Sequence, residues 1–414
     1  MKLPYVPFGS RELRKQKPLL KGTDVRCLQQ ALKRLGFHDS RVDGVFGDDT
    51  ARSVSMFQKA FGRKPTGVAD AGVMGILEDV IRAGIGRWLT LQRDFAHTGF
   101  SPVPIPYGLE ISAVKKIPGV TALGSGDGIL LAAAATGLYA LDLKSGNPVW
   151  HNRDLLPRAA VSIHETDVWV PAKDLVIVDL YTGRVKRRID TGEFTCPVAA
   201  KDGRIYAPDG GSVCAFDEKG GVLWRFKTGG ALCSTPALGY DLVYFTSYDH
   251  YIYSLDEQGV PCWKTKTPDI IKYPVSIWGS MVFAVSLDMW FYALNPLSGE
   301  IIWKKKFSDE EFMMPVFHRD FMLAVDARGK VFAISPQRAE IKWVKELKTT
   351  PTTHPVTCPK TAFFGNENGL VALDLSTGEF KFYLDGKKVT ALAISRFNLY
   401  AATENELVIF SPVI

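Results

Sequence analysis

The chain has 414 residues, of which 46% are hydrophobic and 23% are charged, as in an ordinary globular protein. Its longest apolar run, ILLAAAATGLYAL, has 13 residues and is too short for a bilayer-spanning helix, so the sequence predicts no transmembrane segment. The net charge is +6, and the first 90 residues alone hold 16 Lys or Arg against 9 Asp or Glu. This imbalance favours an anionic partner for the N-terminal part, namely a wall polymer, a nucleic acid or lipid head groups, with a solvated surface as the alternative.

The N-terminal sequence MKLPYVPFGSRELRKQK has no apolar core followed by a small-residue cleavage site. We therefore expect release from the cytoplasm without a visible Sec signal, or a signal that lies outside this numbering. The six Cys include no C-x-x-C motif and no adjacent pair. They are predicted to be free thiols, which favours folding in a reducing compartment.

Residues 1–84 are predicted to form a small all-α domain of three helices with an N-terminal arm. Apolar residues recur at helical spacing in GTDVRCLQQALKRLG, GDDTARSVSMFQKAFG and DAGVMGILEDVIRAG, so each helix has one apolar face. The first two helices are separated by VDGVFG, whose Asp-Gly and second Gly indicate a tight turn with a residue at positive φ.

This N-terminal stretch, from LLKGTDV to VMGIL, resembles the small helical peptidoglycan-binding domain that is appended to many cell-wall hydrolases. The matching positions are Gly22, Asp24, Val25, Leu28, Gln29, Leu32, Gly36, Phe37, Asp43, Gly44, Phe46, Gly47, Thr50, Val54, Phe57 and Gln58. The resemblance implies binding to the glycan or the stem peptide of peptidoglycan, without catalysis. The candidate binding residues are Asp43, Gly44, Phe46, Gly47, Thr50 and Gln58, and for each of them a structural role is the alternative.

From about residue 110 the chain repeats a unit whose anchors lie 37 to 40 residues apart. The anchor positions are Asp142, Asp179, Asp217, Asp256, Asn295, Ser335, Asp374 and Ser411. Each unit predicts four strands, and the fourth strand carries Trp150, Trp224, Trp263, Trp303 or Trp343 in five of the units. Four-stranded units of this period favour a β-propeller, in which the Asp residues hold turns and the Trp residues pack between neighbouring blades.

The end of the chain, LVIFSPVI, corresponds to the third strand of a unit, so the last unit lacks a fourth strand. The segment GKKVTALAISRFNLYAATENELVIFS matches the start of the repeats, KKIPGVTALGSGDGILLAAAATGLYALD. Residues 109–117 therefore stand where a fourth strand would, and they are predicted to complete the last unit. Residues 109–414 would then form an eight-bladed propeller closed by pairing of its terminal strands, with seven blades and a hairpin as the alternative. Residues 85–108, which contain Pro-x-Pro-x-Pro, are predicted to be a stiff linker.

The repeat pattern of strand, turn, Ala-Leu-Asp, Gly turn and Trp resembles the PQQ-like repeats of quinoprotein dehydrogenases and of the BamB family. Quinone sites of the dehydrogenases are implied to need an adjacent Cys pair, acidic and amide ligands for Ca²⁺, and an Asp base. The sequence has no adjacent Cys pair, and its recurring acids lie at the repeat turns. The seven His show no metal-ligand spacing. We therefore expect no cofactor, no metal site and no catalytic residues.

Together these features predict a non-catalytic bacterial protein of the cell wall or cell surface. The N-terminal domain would bind peptidoglycan, the propeller would serve as a scaffold for protein partners or for self-assembly, and no nucleic acid is expected. The alternative is a structural subunit of a phage, an injection system, a spore or a self-assembling surface structure, which the absent signal peptide and the free thiols favour. A quinone-dependent or sugar-active enzyme is the third and least favoured class.

Overall fold

A computed structural model of the chain describes residues 6, 10–35, 37–61, 63–82, 88–103, 105, 108–189, 194, 196–232, 234–318 and 321–412. The chain divides into two units, Met1–Ile85 with Pro102–Pro104 and Gly86–Ser101 with Ile105–Ile414. None of the helices in the described ranges is long and apolar enough to cross a membrane.

The first unit, called the head below, contains the three predicted helices, α1 (Thr23–Arg34), α2 (Asp48–Ala60) and α3 (Ala71–Arg82). Their apolar faces form one small core, made of Val25, Leu28, Leu32, Val54, Phe57, Val73, Leu77 and Val80, all of them fully buried. The carboxylate of Asp70 accepts the backbone N–H of Val73 at 2.7 Å, which satisfies one of the free donors at the start of α3. Gly36 lies outside the described residues.

The described residues of the second unit form eight four-stranded antiparallel sheets, here called blades 1 to 8. Blade 1 contains β2 (Val120–Gly126), β3 (Ile129–Ala134), β4 (Gly137–Asp142) and β5 (Pro148–Asn152), and blade 2 contains β6 (Ser162–His164), β7 (Asp167–Pro171), β8 (Leu175–Asp179) and β9 (Val185–Ile189). Blade 3 contains β10 (Ala199–Lys201), β11 (Arg204–Asp209), β12 (Ser212–Asp217) and β13 (Val222–Lys227), and blade 4 contains β14 (Ala237–Gly239), β15 (Leu242–Ser247), β16 (Tyr251–Asp256) and β17 (Pro261–Lys266).

Blade 5 contains β18 (Ser276–Trp278), β19 (Met281–Val285), β20 (Trp290–Leu294) and β21 (Ile301–Lys306), and blade 6 contains β22 (Val316–Phe317), β23 (Met322–Val325), β24 (Lys330–Ile334) and β25 (Ile341–Glu346). Blade 7 contains β26 (Val356–Thr357), β27 (Thr361–Asn366), β28 (Gly369–Asp374) and β29 (Phe380–Tyr383). Blade 8 contains β30 (Val389–Ser395), β31 (Asn398–Thr403), β32 (Glu406–Pro412) and, at its outer edge, β1 (Leu109–Lys116). The prediction of eight blades is confirmed, and the seven-bladed alternative is wrong.

Each blade runs from an inner strand to an outer strand. The first strands of neighbouring blades contact one another, as β2 does with β6 and with β30, so these strands surround a central axis. Middle strands are buried on both faces because a blade packs on either side, and all six residues of β3 are buried. In the outer strand β21 every residue is exposed except the half-buried Trp303.

The ring closes through β1. Seven residue pairs join it to β32, from Leu109 opposite Pro412 to Lys116 opposite Glu406, with a bulge at Ser112. The Ser112 hydroxyl donates to the Ile409 carbonyl at 3.1 Å and spans the bulge. The final blade therefore has its fourth strand, and the free edge of β32 is covered.

Tryptophan side chains join successive blades. Four of them donate the indole N–H to a carbonyl in the turn between the third and fourth strands of the next blade. The pairs are Trp150–Leu180, Trp224–Glu257 and Trp263–Pro296, each at 2.9 Å, and Trp303–Pro336 at 2.8 Å. Each of these four residues therefore adds a directional bond to the apolar packing between blades.

The recurring Asp residues hold the turn between the third and fourth strands. In each of these turns the carboxylate oxygen Oδ1 accepts a backbone N–H two to four residues further along the chain, and the residues concerned are Asp142, Asp179, Asp217, Asp256 and Asp374. The amide oxygen of Asn295 makes the same bond with the N–H of Leu297 at 2.8 Å. An acceptor oxygen is what the turn requires, and a negative charge is not.

Removal of residues 109–117 should lower the melting temperature sharply or cause aggregation. The deletion exposes the edge of β32 and breaks several backbone bonds, each worth about 1 kcal/mol. Thermal unfolding followed by circular dichroism measures the effect. The matched control is Lys116→Ala, which alters an exposed side chain of β1 and leaves its backbone pairing intact. A deletion variant that melts like the full chain would show that β1 does not close the ring.

Two substitutions of a blade-joining tryptophan should distinguish the contribution of the indole N–H from that of ring packing. Trp263→Phe should lower the free energy of unfolding by about 1 kcal/mol, because the Pro296 carbonyl loses the indole donor and keeps the Tyr244 hydroxyl. Trp263→Ala should cost about 3–5 kcal/mol through lost packing. Urea unfolding measures both, with Val260→Ala, at a side chain 57% exposed, as the control. Equal losses of unfolding free energy for the two Trp263 variants would contradict the conclusion that ring packing contributes more than the N–H bond.

Candidate functional site

In the head, the turn that precedes α2 is organised by one buried amide, Gln29. Its Nε2 lies 2.9 Å from Asp43 Oδ1, 3.1 Å from the Val45 carbonyl and 3.0 Å from Thr50 Oγ1, and its Oε1 accepts the N–H of Gly44 at 2.8 Å. Gly44 has a φ of +76°, which a residue with a Cβ adopts only with strain. The Gln29 side chain of α1 therefore fixes the segment from Asp43 to Thr50.

Three of the six candidate binding residues point into the head. Phe46 is 0% exposed, Thr50 is 1% exposed and Gln58 is 2% exposed. Gln58 donates Nε2 to the Val68 carbonyl at 2.8 Å and accepts the N–H of Gly67 at 2.9 Å, so it holds a second turn. For Gln58 this favours the structural alternative, because its amide has buried backbone partners that the helical pattern does not reveal.

Asp43 is the candidate that offers a side chain to solvent. Its carboxylate also accepts the N–H of Val45 at 2.9 Å. Partial burial opposes ionisation, but the hydrogen bonds from Gln29 and Val45 outweigh it and hold the pKa of Asp43 below its ordinary value. The site therefore presents an ionised acceptor on a rigid turn, with the half-buried Gly47 beside the start of α2. Sequence reasoning recognised Gln29 as a family position and missed its role in shaping this turn.

The second candidate site is the axis of the propeller, which is occupied by the chain itself. Residues 88–101, called the channel segment below, run along the inner strands, and Thr90 and His97 within it are 0% exposed. The sequence analysis assigns residues 85–108 to a linker, whereas the structure places Gly86–Ser101 and Ile105 in the propeller unit. These residues are therefore part of the propeller rather than an extended linker. Residues 85–87, 104, 106 and 107 lie outside the described ranges.

Backbone hydrogen bonds join the channel segment to the inner strands of six blades in ring order. The bonds are those of Trp88 with Ser125 in both directions and of Ile163 with Leu89, each at 2.8 Å, then Leu238 with Phe95 at 2.7 Å, Ile277 with Ala96 at 2.8 Å, and Phe317 with Thr98 and Thr357 with Gly99 at 2.9 Å. In each of the last five pairs the inner strand donates its N–H. The segment thus passes blades 1, 2, 4, 5, 6 and 7 and satisfies donors that would otherwise face the axis unpaired.

Beside the channel segment, one pocket of about 150 Å³ opens at the end of the axis where the inner strands begin. Apolar groups form most of its wall, and its polar lining residues are Gln92, Thr121, Thr352, Thr353, His354 and Thr390. The amide of Gln92, 3% exposed, has no hydrogen-bond partner among the described residues. Burial and the charge of Lys272 lower the pKa of His354 to about 4, so the imidazole is neutral near pH 7.

This pocket does not fit the quinone and calcium ion that the dehydrogenase resemblance implies. None of the described residues that line the pocket is an Asp, a Glu or a Cys, so a calcium ion would find no carboxylate there. Across the described residues, no group of three or more His, Cys, Asp and Glu side chains is placed to hold a metal ion. Five of the six Cys are described, and all five are free thiols; Cys233 lies outside the described residues.

Comparison with protein families agrees with the division of the chain into a head and a propeller. Residues 21–77 match the putative peptidoglycan binding domain, and residues 172–382 match the family described as outer membrane protein assembly factor BamB. A curated relative, the spore cortex-lytic enzyme of Halalkalibacterium halodurans, is 35% identical over 98 residues, which are 23% of this chain and 30% of that enzyme. The chain thus spans less than a third of that relative's length.

Two solved structures show the same propeller architecture. BamB from Moraxella catarrhalis has a TM-score of 0.63 and 17% identity, covering 73% of this chain and 98% of its own. Quinohemoprotein alcohol dehydrogenase from Comamonas testosteroni has a TM-score of 0.67 and 15% identity, covering 80% of this chain and 82% of its own. At such identities the likeness concerns the fold alone. Because the match to residues 172–382 spans half of the sequence, the chain belongs to the BamB family of PQQ-like repeat propellers, here with a peptidoglycan-binding-type domain at the N-terminus.

Proposed function

We propose that the protein is a non-catalytic component of the cell wall or cell surface. The head binds peptidoglycan, and the propeller presents its outer surfaces to protein partners. The observation that carries the proposal is the channel segment, whose backbone bonds to the inner strands of six blades and occupies much of the axis. An axis occupied by the chain itself favours binding at the rims and outer strands.

The head supports wall binding through its charge and its turn. The first 90 residues carry a net charge of +7 in the sequence, which attracts the carboxylates of peptidoglycan stem peptides. Asp43 then supplies an ionised acceptor for hydroxyl, amide or ammonium groups of the polymer. Phe46, Thr50 and Gln58 act by shaping the head, because their side chains are buried.

A second candidate function is that of a structural subunit of a spore or a self-assembling surface structure. The similarity of part of the chain to a spore cortex-lytic enzyme favours it. The five described free thiols agree with folding in a reducing compartment before release. Sizing of the purified protein separates the two: a monomer supports the wall-bound platform, and a polymer supports the subunit.

The full chain and fragment 1–85 should co-sediment with purified peptidoglycan sacculi, and fragment 86–414 should remain in the supernatant. Salt distinguishes a shaped site from charge attraction, because the Debye length falls to about 3 Å near 1 M salt. Binding through the turn should persist at that concentration. Sedimentation of the propeller fragment instead of the head, or loss of all binding in high salt, would contradict the proposal.

Single substitutions in the full chain refine the same assay. Asp43→Ala should weaken the salt-resistant binding several-fold, and Asp39→Ala, which removes another exposed carboxylate of the head, should not. Gln58→Ala should lower the stability of the head by about 1–3 kcal/mol, because buried backbone groups lose their partner, and it serves as a folding control. Equal effects of the Asp39 and Asp43 variants would show that the turn does not take part in binding.

A further inference from the structure

One position of the repeat departs from its neighbours in blade 3. In three blades the residue two places after the conserved Trp donates a side-chain hydrogen bond to a carbonyl in the turn of the next blade. The pairs are Asn152–Gly183 at 3.0 Å, Thr265–Gly299 at 2.6 Å and Lys305–Ala339 at 3.0 Å. In blade 3 this position, two places after Trp224, is Phe226, which has no donor. Phe226 therefore cannot make this side-chain hydrogen bond to blade 4.

An aromatic cluster replaces it. The ring centroid of Phe226 lies 6.1 Å from that of Phe245 and 5.8 Å from that of Tyr253, and Phe245 and Tyr253 stack at 5.3 Å. Between β13 and β17 this leaves a groove of about 340 Å³. We call it the blade 3–4 groove, and it is lined by Phe226, Lys227, Thr228, Gly229, Tyr253, Pro261, Cys262, Trp263 and Lys264.

Three side-chain hydrogen-bond donors in the wall of the groove already have partners within the protein. The Tyr253 hydroxyl donates to Asp249 at 2.6 Å, the Thr228 hydroxyl donates to the Gly230 carbonyl at 2.7 Å, and the indole N–H of Trp263 is bound to Pro296. A sugar would find few side-chain partners for its hydroxyl groups. An apolar side chain, by contrast, would find aromatic surfaces on which to pack.

Positive charge lies at the mouth of this aromatic groove. Lys227 and Lys264 are exposed, and neither forms an ion pair with any residue in the described parts of the chain. The Lys264 ammonium lies 4.8 Å from the ring centroid of Tyr251, which positions it beside the groove. Two cationic groups flanking an apolar groove are complementary to carboxylates flanking an apolar side chain.

The strands that border the groove also have a free edge. β13 and β17 are the outer strands of their sheets, so each pairs on one side only within the described structure. Their outward backbone groups remain available to an extended peptide. Exposed apolar side chains continue the surface, with Leu223 48% exposed on β13 and Val260 57% exposed before β17.

We propose that the blade 3–4 groove binds an extended acidic segment of a partner protein, with one aromatic or large aliphatic side chain in the groove and flanking carboxylates at Lys227 and Lys264. The inference rests on the proposed role of the propeller as a platform and names the surface and the chemistry of its partner. Phe226 is the specificity-determining residue, since it replaces the interblade hydrogen bond and creates the aromatic wall.

Fluorescence anisotropy of labelled, end-blocked peptides on the full chain tests this inference. Asp-Glu-Phe-Glu-Asp should bind saturably with a Kd below about 1 mM, whereas Lys-Lys-Phe-Lys-Lys and Asp-Glu-Ala-Glu-Asp should bind at least about tenfold more weakly. Phe226→Thr, which installs the side chain found two residues after Trp263, and the double variant Lys227→Ala with Lys264→Ala should each weaken binding about tenfold. Lys266→Ala, on β17 outside the groove, should leave it unchanged. Equal binding by the three peptides or by all variants would overturn the proposal.

The exposed thiol of Cys262 locates the peptide without any substitution. Bound Asp-Glu-Phe-Glu-Asp should slow the reaction of Cys262 with N-ethylmaleimide, followed by mass spectrometry, and leave the exposed Cys27 of the head unaffected. Unchanged labelling of Cys262 at saturating peptide would place the binding elsewhere and overturn the proposal. Protection of Cys262 in concentrated protein alone, with an increase in particle size, would make a second copy the occupant and also overturn it. The assay contains no peptidoglycan, so its failure is distinct from failure of wall binding by the head.

Discussion

The backbone of the channel segment, hydrogen-bonded to the inner strands of six blades, is the constraint on which the propeller depends. Without it, the N–H groups of Ile163, Leu238, Ile277, Phe317 and Thr357 would face the axis with no partner from their own sheets. A buried unpaired N–H is costly, so a ring of inner edges needs water, a ligand or another chain. Here the protein supplies that chain itself. The same segment occupies much of the axis and leaves a pocket of about 150 Å³ beside it.

Relatives with this architecture include both an assembly factor and dehydrogenases, so the fold does not decide between them. In this chain, the pocket that Trp88 and Gln92 line has a mostly apolar wall with four Thr side chains, and none of its described lining residues offers a carboxylate. The surfaces to which binding is assigned here are the blade 3–4 groove, outside the ring, and the exposed turn of the head. Binding to the wall and binding to a partner would thus belong to different units of the chain.

Much of the architecture could be predicted because repetition makes the signal redundant. Five Trp and five Asp residues at one spacing predict blades and turns, and the shared letters KK and VTAL predict the strand β1 that completes blade 8. The channel segment could not be predicted, because its irregular backbone leaves no period and its inner-strand partners are 37 or more residues away in the sequence. The burial of Gln58 could not be predicted for a similar reason: a polar residue on a helix indicates exposure unless a distant turn supplies its hydrogen bonds, as Gly67 and Val68 do. Phe226 stands out only when its repeat neighbours are known to make hydrogen bonds.

Hydrogen exchange of the native full chain, followed by mass spectrometry, tests the filled axis most directly. Many amides of the channel segment bond to inner strands or within the segment, as Trp88 does to Ser125, Ser101 to Thr357 and Gly99 to Gln92. The account predicts that the hydrogen-bonded amides within residues 88–101 exchange as slowly as the middle strands β3 and β27, because they open only with the ring. Exchange of these residues at the rate of an unstructured chain, while the blades remain protected, would show that the axis is open and would contradict the account.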